Sequence, residues 1–171
     1  MKKKKYIKVA KEVIDLEIKA LVKLKKSISN SFNLAVQQIL KCQSKVILCG
    51  VGKSGLIGKK ISATLNSTGT SAIFIHAGEA SHGDIGAVKP NDIFLAISKS
   101  GNTREITDLI PFLKNNGNFL IGMTSNRSSM LAKISNLILF TPFKEEACPN
   151  KLSPTSSSIT QLAIGDALAM T

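Results

Sequence analysis

Two short segments rich in glycine and hydroxyl residues are suited to binding a phosphate group. Residues 50–55 read Gly-Val-Gly-Lys-Ser-Gly, and residues 98–103 read Ser-Lys-Ser-Gly-Asn-Thr. Glycine turns let the backbone approach a ligand closely, and amides and hydroxyls at the start of a helix donate hydrogen bonds to an anion. A Ser/Thr-rich helix cap would explain the second segment more simply, but a cap needs only one hydroxyl and this segment has three. We therefore predict that both segments bind one small phosphorylated ligand.

The first segment also matches the formal patterns of two nucleotide-binding loops. The dinucleotide pattern needs an acidic residue about 20 residues further on, at the end of the second strand, but that strand ends at Ile75 and His76. The P-loop pattern needs a glycine at position 47, which is Ile47. Both interpretations are weakened. What remains is a glycine turn with Lys53 and Ser54 at the start of a helix.

Two further polar segments contain candidate acid–base groups. Residues 145–149 read Glu-Glu-Ala-Cys-Pro, and residues 78–84 read Gly-Glu-Ala-Ser-His-Gly-Asp. Adjacent glutamates that follow a strand could supply a base, although two solvated surface acids are the simpler interpretation. His82 lies among small residues in a loop, and a structural and a catalytic role fit that setting equally well.

Five apolar runs predict the strands that must position these segments. They span residues 46–50, 71–75, 92–98, 118–123 and 136–140. Each run is apolar on both faces, as is typical of parallel strands covered by helices. Apolar residues at helical spacing predict helices over residues 6–40, with a break or kink at 27–31, and over 55–67, 103–115 and 127–135, with another beginning near 157.

The predicted architecture is an α/β, three-layer, doubly wound domain with a five-stranded parallel sheet, similar to flavodoxin, behind an N-terminal helical lead-in. Ligands bind to such folds outside the carboxyl ends of the strands, where loops lead into helix N-termini. Each of the four polar segments follows a predicted strand. We therefore expect them to meet at one edge of the sheet.

The composition excludes several other classes of function. Although the net charge is +12, residues 1–45 hold 12 lysines and 3 acids, so the excess is mostly N-terminal. The chain has no Trp and one Tyr, too few aromatic faces to stack nucleobases, so we predict no nucleic-acid partner. No stretch approaches the roughly 18 apolar residues that a membrane span requires, so we predict no membrane partner. Three cysteines without paired spacing or an export signal indicate reduced thiols and a cytoplasmic location.

Together these segments resemble the sugar isomerase (SIS) domain. The segments at 50–55 and 98–103 are general to that domain, whereas residues 78–84, 146–149 (Glu-Ala-Cys-Pro) and 154–157 (Pro-Thr-Ser-Ser) look like D-arabinose 5-phosphate isomerases. The resemblance covers roughly residues 45–171. It implies interconversion of D-ribulose 5-phosphate and D-arabinose 5-phosphate through an enediolate, in a pathway to Kdo and lipopolysaccharide. It also implies a homotetramer, and a reaction that needs no cofactor and no metal.

The resemblance implies a role for each matching residue. Lys53 would stabilise the enediolate, Glu146 would move the proton between C1 and C2, and His82 would shuttle protons on the oxygens. Glu105 is a further acid–base candidate. The sugar phosphate would be bound by small residues of the same loops: Gly52, Ser54, Ser98, Ser100, Gly101, Thr103, Thr155 and Ser156.

This sequence also departs from the family pattern. Members continue through a His-Pro-Gly-Gly segment into a pair of CBS domains, which we do not expect within residues 1–171. We predict a helical segment over residues 1–44 that packs on an SIS domain over 45–171. Lys99 stands where relatives usually carry an uncharged residue. Two alternatives are another isomerase of this fold, such as 3-hexulose 6-phosphate isomerase, and a non-catalytic sugar-phosphate sensor of a transcription regulator. The segments at 78–84 and 145–149 and the retained acid–base residues favour the arabinose 5-phosphate isomerase over both.

Overall fold

A computed structural model describes residues 2–150 and 152–171 of the chain. Five parallel strands form one sheet, in the spatial order β2-β1-β3-β4-β5. The strands are β1 (Val46–Gly50), β2 (Ala72–His76), β3 (Ile93–Ile97), β4 (Phe119–Thr124) and β5 (Leu137–Phe140). The predicted α/β fold with a five-stranded parallel sheet is therefore confirmed.

Helices cover both faces of this sheet. They are α1 (Lys2–Ser27), α2 (Asn30–Lys41), α3 (Gly52–Ser67), α4 (Ala77–Ala80), α5 (Arg104–Thr107), α6 (Ile110–Asn115), α7 (Met130–Ile134) and α8 (Ser156–Met170), with a 3₁₀ turn at Asp84–Ala87. Side chains of β1 alternate between two buried clusters: Val46 and Leu48 pack with α1, α2, α3 and α8, whereas Ile47 and Cys49 pack with α4 to α7. This alternation confirms the three-layer arrangement, because a strand buried on both faces must be covered twice.

Polar residues mark where the strands begin, which explains the small errors in the predicted bounds. Asp92 and Asn118 are buried just before β3 and β4. The Asn118 Nδ2 donates to the backbone oxygens of Lys89 at 2.7 Å and Asp92 at 2.9 Å. Asp92 and Asn118 hold the chain where it enters β3 and β4, but they lie outside the hydrogen-bonded pairing of the strands. Both strands therefore start one residue later than their apolar runs suggested.

The prediction that every strand is apolar and buried on both faces is wrong for β2. Its Ile73 is 36% exposed, and Phe74 is only half-buried. The reason is the strand order: β2 lies at an edge of the sheet and pairs only with β1.

The predicted single helix over residues 103–115 is also wrong, because α5 and α6 are separate there. The chain leaves the helix after Thr107 and resumes at Ile110, with Pro111 in the first turn of α6. Proline has no N–H and clashes with a preceding helical turn, so it is tolerated at the start of a helix but not inside one. The helix predicted over 127–135 is also shorter than predicted: it forms α7, whose N-cap Ser129 accepts a hydrogen bond from Ala132 N.

The N-terminal helices lie against the α/β sandwich. Leu24 of α1 and Ala35 and Ile39 of α2 are buried in the same cluster as β1 and β3. Two residues, Ile28 and Ser29, separate α1 from α2, which confirms the predicted break. Among the described helices, none combines the length and the apolar character needed to cross a membrane.

Candidate functional site

The loops that follow β1 and β3 define a crevice at the carboxyl edge of the sheet. These strands are neighbours, with Gly50 opposite Ile97, yet the chain runs from β1 outward to β2 and from β3 in the other direction to β4. Loops that diverge from adjacent strands in this way leave a crevice, which is the usual ligand site of open α/β sheets. The two segments predicted to bind phosphate are the loops on either side of it.

The loop after β1 depends on glycine at several positions. Gly52 has φ of +56°, a left-handed conformation that costs other residues about 1 kcal/mol or more. Gly50 and Gly55 lie so close together that a Cβ on Gly50 would stand 3.0 Å from the Gly55 nitrogen. This tight turn starts α3 at Gly52, three residues earlier than predicted, and places Lys53 and Ser54 in its first turn.

A cavity of about 420 Å³ opens beside this loop, within the size range of small-ligand sites. Lys53 and Lys59 supply positive charge to its lining, and His76 closes it at the end of β2. The Lys59 ammonium also lies 5.5 Å from the centre of the Phe74 ring. The cavity is therefore cationic, as a site for a phosphorylated ligand requires.

The loop after β3 is held in shape by its own hydroxyls. Ser98 is buried, and its Oγ accepts a hydrogen bond from Gly101 N at 3.0 Å and lies 2.7 Å from Thr103 Oγ1. One hydroxyl hydrogen of this pair is used between the two oxygens. The exposed Ser100 accepts from Asn102 N at 3.2 Å, which leaves its own hydrogen free for an anion. Ser100 is thus the most available donor of the three predicted hydroxyls.

Glu146 lies in a dense network between this loop and the start of α8. Its Oε2 accepts from Thr155 N at 2.9 Å, from Thr155 Oγ1 at 3.2 Å and from Ser157 N at 3.1 Å. Its Oε1 accepts from Ser157 Oγ at 2.6 Å and lies 3.0 Å from Lys99 Nζ. The carboxylate side chain is 5% exposed, whereas that of Lys99 is 47% exposed. Both carboxylate oxygens are therefore engaged, and the negative charge lies at the positive end of α8.

This network controls the charge of Glu146. Burial by itself raises the pKa of the carboxyl, but the hydrogen bonds from the Ser157 side chain, the Thr155 backbone, Lys99 and the Ser157 backbone together lower it to about 2. Glu146 is consequently ionised at all ordinary pH values. In this arrangement it is a weak proton acceptor.

The other predicted acid–base groups lie in the open. Lys53 is exposed at the start of α3, Glu105 is exposed in α5, and His82 is exposed in the turn that follows α4. Among the described residues, none makes a hydrogen bond or an ion pair with the side chains of these three. All three follow strands at the carboxyl edge of the sheet, as predicted.

The remaining predicted residues belong to the first turn of α8. Thr155 is used by Glu146 and by the nitrogen of Ala147, which donates to Thr155 Oγ1 at 2.7 Å. Ser156 is fully buried, and its Oγ has no hydrogen-bond partner within the described part of the chain. In residues 2–150 and 152–171, no three metal-binding side chains lie together.

The sequence prediction missed three residues of this site. Lys99 stands out in the sequence only as a departure from the family pattern, and its position between Ser98 and Ser100 was the available signal. Ser157 belongs to the predicted hydroxyl run but carries no predicted role. Gln161 gave no sequence signal, because only the packing of α8 on α3 brings it to Ser54.

Known proteins resemble this chain along most of its length. Residues 39–171 match the SIS domain family. Two curated relatives named arabinose 5-phosphate isomerase are 48% identical to it: that of Yersinia pestis over 94% of the chain, and that of Francisella tularensis over 96%. The chain spans about half the length of these relatives, 49% and 51%.

A solved structure is also similar. A protein of Escherichia coli CFT073, solved in complex with arabinose 5-phosphate, superposes with a TM-score of 0.95 at 40% identity, over 99% of this chain and 90% of that protein. The sequence match, the parallel sheet and the loops after β1 and β3 all indicate the same family. The chain belongs to the SIS domain family.

Proposed function

We propose that this chain carries the isomerase site that interconverts D-ribulose 5-phosphate and D-arabinose 5-phosphate. The observation that carries the proposal is the meeting of two loops at the carboxyl ends of the adjacent strands β1 and β3. The first borders a cavity whose lining includes Lys53 and Lys59, and the second presents the hydroxyls of residues 98–103. The names of the relatives, and the arabinose 5-phosphate complex of the E. coli protein, give the substrate class. Since the chain spans about half of those relatives, the activity of residues 1–171 has to be measured.

The phosphate is proposed to bind to the loop at 98–103. Ser100 supplies a free hydroxyl hydrogen, and the Ser98–Thr103 pair supplies one more. Ser54 assists in binding the phosphate, Gly52 and Gly101 shape the loops around the ligand, and Thr155 and Ser156 contribute from the start of α8. Lys53 supplies positive charge to the enediolate oxygen that develops during the reaction.

The reaction itself moves two protons. A base removes a proton from C1 of the ketose, the enediolate forms, and a proton is returned to C2, while a second proton passes from one sugar oxygen to the other. His82 is the proposed shuttle on oxygen, and Glu105 and Glu146 are the proposed carboxylates for carbon. Because both oxygens of Glu146 are occupied in this structure, its service as the base requires that substrate binding release some of these hydrogen bonds.

The pH dependence of catalysis distinguishes these carboxylates. A base with a pKa of about 2, as at Glu146, leaves kcat/KM level on the acid side until the protein unfolds, since kcat/KM reports the free enzyme. A decline in kcat/KM between about pH 7 and pH 4, beyond the part caused by titration of the substrate phosphate, would count against Glu146 as the base. Glu105→Gln and His82→Asn test the other candidates directly, because replacement of the base should remove turnover and keep phosphate binding.

The wider biological setting is also a proposal. We propose a cytoplasmic enzyme of the Kdo and lipopolysaccharide pathway, with a helical segment at 1–44 packing on an SIS domain at 45–171. A homotetramer is supported by apolar side chains of α1 that remain at least half exposed: Tyr6, Ile7, Ile14, Ile18 and Val22. Light scattering at micromolar protein tests it, and a monomer would contradict it.

The decisive experiment is an assay of purified residues 1–171 with D-ribulose 5-phosphate, with the product identified by NMR. D-Arabinose 5-phosphate is expected. Binding of the sugar phosphate without turnover would instead support either a sensor or a site that needs a further C-terminal segment, and the same assay on a longer chain would separate the two. Conversion of a hexulose phosphate in its place would support the other isomerase.

A further inference from the structure

Gln161 does not line the crevice itself but is connected to it by a hydrogen bond with Ser54. It lies in the second turn of α8 and is 1% exposed. Ser54 Oγ donates a hydrogen bond to Gln161 Oε1 at 3.1 Å. Gln161 Nε2 is buried and has no hydrogen-bond partner among the described residues.

This contact decides what Ser54 can offer to a ligand. A serine hydroxyl has one hydrogen, and here the hydrogen is directed at an amide oxygen that can only accept. A phosphate oxygen also only accepts. In the arrangement observed, Ser54 therefore presents lone pairs rather than a donor to the crevice, although it stands in the first turn of α3 where a phosphate donor is expected.

Turning the Gln161 amide over removes this conflict. The two ends of a glutamine amide have nearly the same shape, so the exchange needs no other movement. Nε2 then donates to Ser54 Oγ and gains the partner that it lacks, while the Ser54 hydrogen becomes free for the crevice. The orientation seen here leaves Nε2 unpaired, and the turned orientation pairs it with Ser54, so an anion that accepts from Ser54 favours the turned orientation.

We propose that Gln161 is a positioning residue that directs the Ser54 proton: toward α8 in the free chain, and toward the phosphate when a ligand is bound. The proposal rests on the proposed function, in which Ser54 assists in phosphate binding. Gln161 of α8 would then belong to the phosphate site without touching the ligand itself.

The test compares the binding of inorganic phosphate, by NMR titration, to the native chain, Gln161→Glu, Ser54→Ala and the double variant. A carboxylate at position 161 accepts from Ser54 but has no N–H, so it keeps the Ser54 proton away from the crevice. Each single substitution is expected to weaken binding about tenfold, the loss for one hydrogen bond to a charged group. The double variant is expected to bind no more weakly than Ser54→Ala. Gln37→Glu on the exposed face of α2 adds the same charge away from the site and serves as the control.

Two results would overturn the inference. If Gln161→Glu weakens binding equally with and without the Ser54 hydroxyl, charge repulsion is the cause and no proton is being directed. If Ser54→Ala binds phosphate as the native chain does, Ser54 is not a phosphate contact.

A second variant decides the matter if the buried carboxylate prevents folding. Gln161→Met has neither donor nor acceptor, so the Ser54 hydrogen is released and phosphate affinity stays within about threefold of native. A tenfold loss in Gln161→Met would contradict release of the Ser54 hydrogen and overturn the inference. None of these affinities depends on turnover. A native chain that binds phosphate but converts no pentose phosphate would therefore count against isomerase activity of residues 1–171 and leave this inference standing.

Discussion

Replacing the Glu146 carboxylate by an amide is expected to destabilise the folded chain by about 2 kcal/mol at neutral pH. The network lowers the pKa of this carboxyl from 4.5 to about 2, and each pKa unit corresponds to about 1.4 kcal/mol. The full difference is about 3 kcal/mol, and solvent around the half-exposed Lys99 reduces it to about 2 kcal/mol. In Glu146→Gln the new amide NH₂ group would also face the donor groups of Ser157 or Lys99. No neighbouring acceptor would be available for its hydrogens.

The effect has a definite pH dependence. Because the pKa is lowered on folding, the folded chain holds the ionised carboxylate more strongly than the unfolded chain does. The stabilisation is therefore present above the unfolded value of 4.5 and is lost as the pH falls toward about 2. The difference between native and Glu146→Gln should shrink in the same interval.

Urea denaturation of the native chain and the variant at about pH 7 and about pH 3.5 measures this difference. Glu145→Gln is the matched control, because Glu145 is adjacent but exposed and surface charges of this kind change stability by less than about 0.5 kcal/mol. Equal stability of Glu146→Gln and native protein at neutral pH, or a difference that does not change with pH, would refute the reasoning.

Two further predictions follow from the loops. Ser100→Ala should raise KM for the sugar phosphate about tenfold with a smaller change in kcat. The control Ser71→Ala, just before β2 and at the opposite end of the strands from the site, should change neither constant. Cys148 should react rapidly with a thiol reagent, because hydrogen bonds from backbone amides, above all that of Ser153, lower the pKa of its thiol. Burial raises the pKa of the Cys49 thiol to about 12, so Cys49 should be protected until the protein unfolds. Mass spectrometry after brief alkylation identifies the modified cysteine, and early labelling of Cys49 would contradict the second expectation.

Much of the fold could be predicted because parallel strands buried on both faces leave an unmistakable pattern. Runs such as 46–50 are apolar throughout, and the glycine turn that follows indicates the start of a helix. The errors arose where neighbours, rather than local residues, decide the structure. The exposure of Ile73 depends on the position of β2 at the sheet edge, which its own sequence does not reveal. The interruption between α5 and α6 is the exception, because Pro111 is a local signal for it.

The site was predictable to the level of its loops but not of its hydrogen bonds. Residue types located the hydroxyl loop at 98–103, since several donors near a helix start are unusual. They could not show that Ser98 is turned inward to hold Gly101, or that Lys99 pairs with Glu146. The Lys99–Glu146 contact joins the loops that follow β3 and β5, which are far apart in sequence. Such pairings depend on the three-dimensional arrangement of the strands.

The position of Glu146 leaves two roles that activity alone cannot separate. Its carboxylate fills the place of an anion at the start of α8, so that end of the helix is stabilised by the protein's own charge rather than by a substrate phosphate. Loss of turnover in Glu146→Gln would follow equally from a missing base or from a displaced α8.

Ser157→Ala separates the roles, because it removes the 2.6 Å hydrogen bond to Oε1 and keeps the carboxylate. Without that bond the pKa of Glu146 rises and the carboxylate becomes a better proton acceptor. If Glu146 is the base, Ser157→Ala should lose about 1 kcal/mol of stability and retain turnover. If Glu146 only anchors α8, stability and turnover should fall together in Ser157→Ala, as is expected for Glu146→Gln, and the proton on carbon must then be moved by another group.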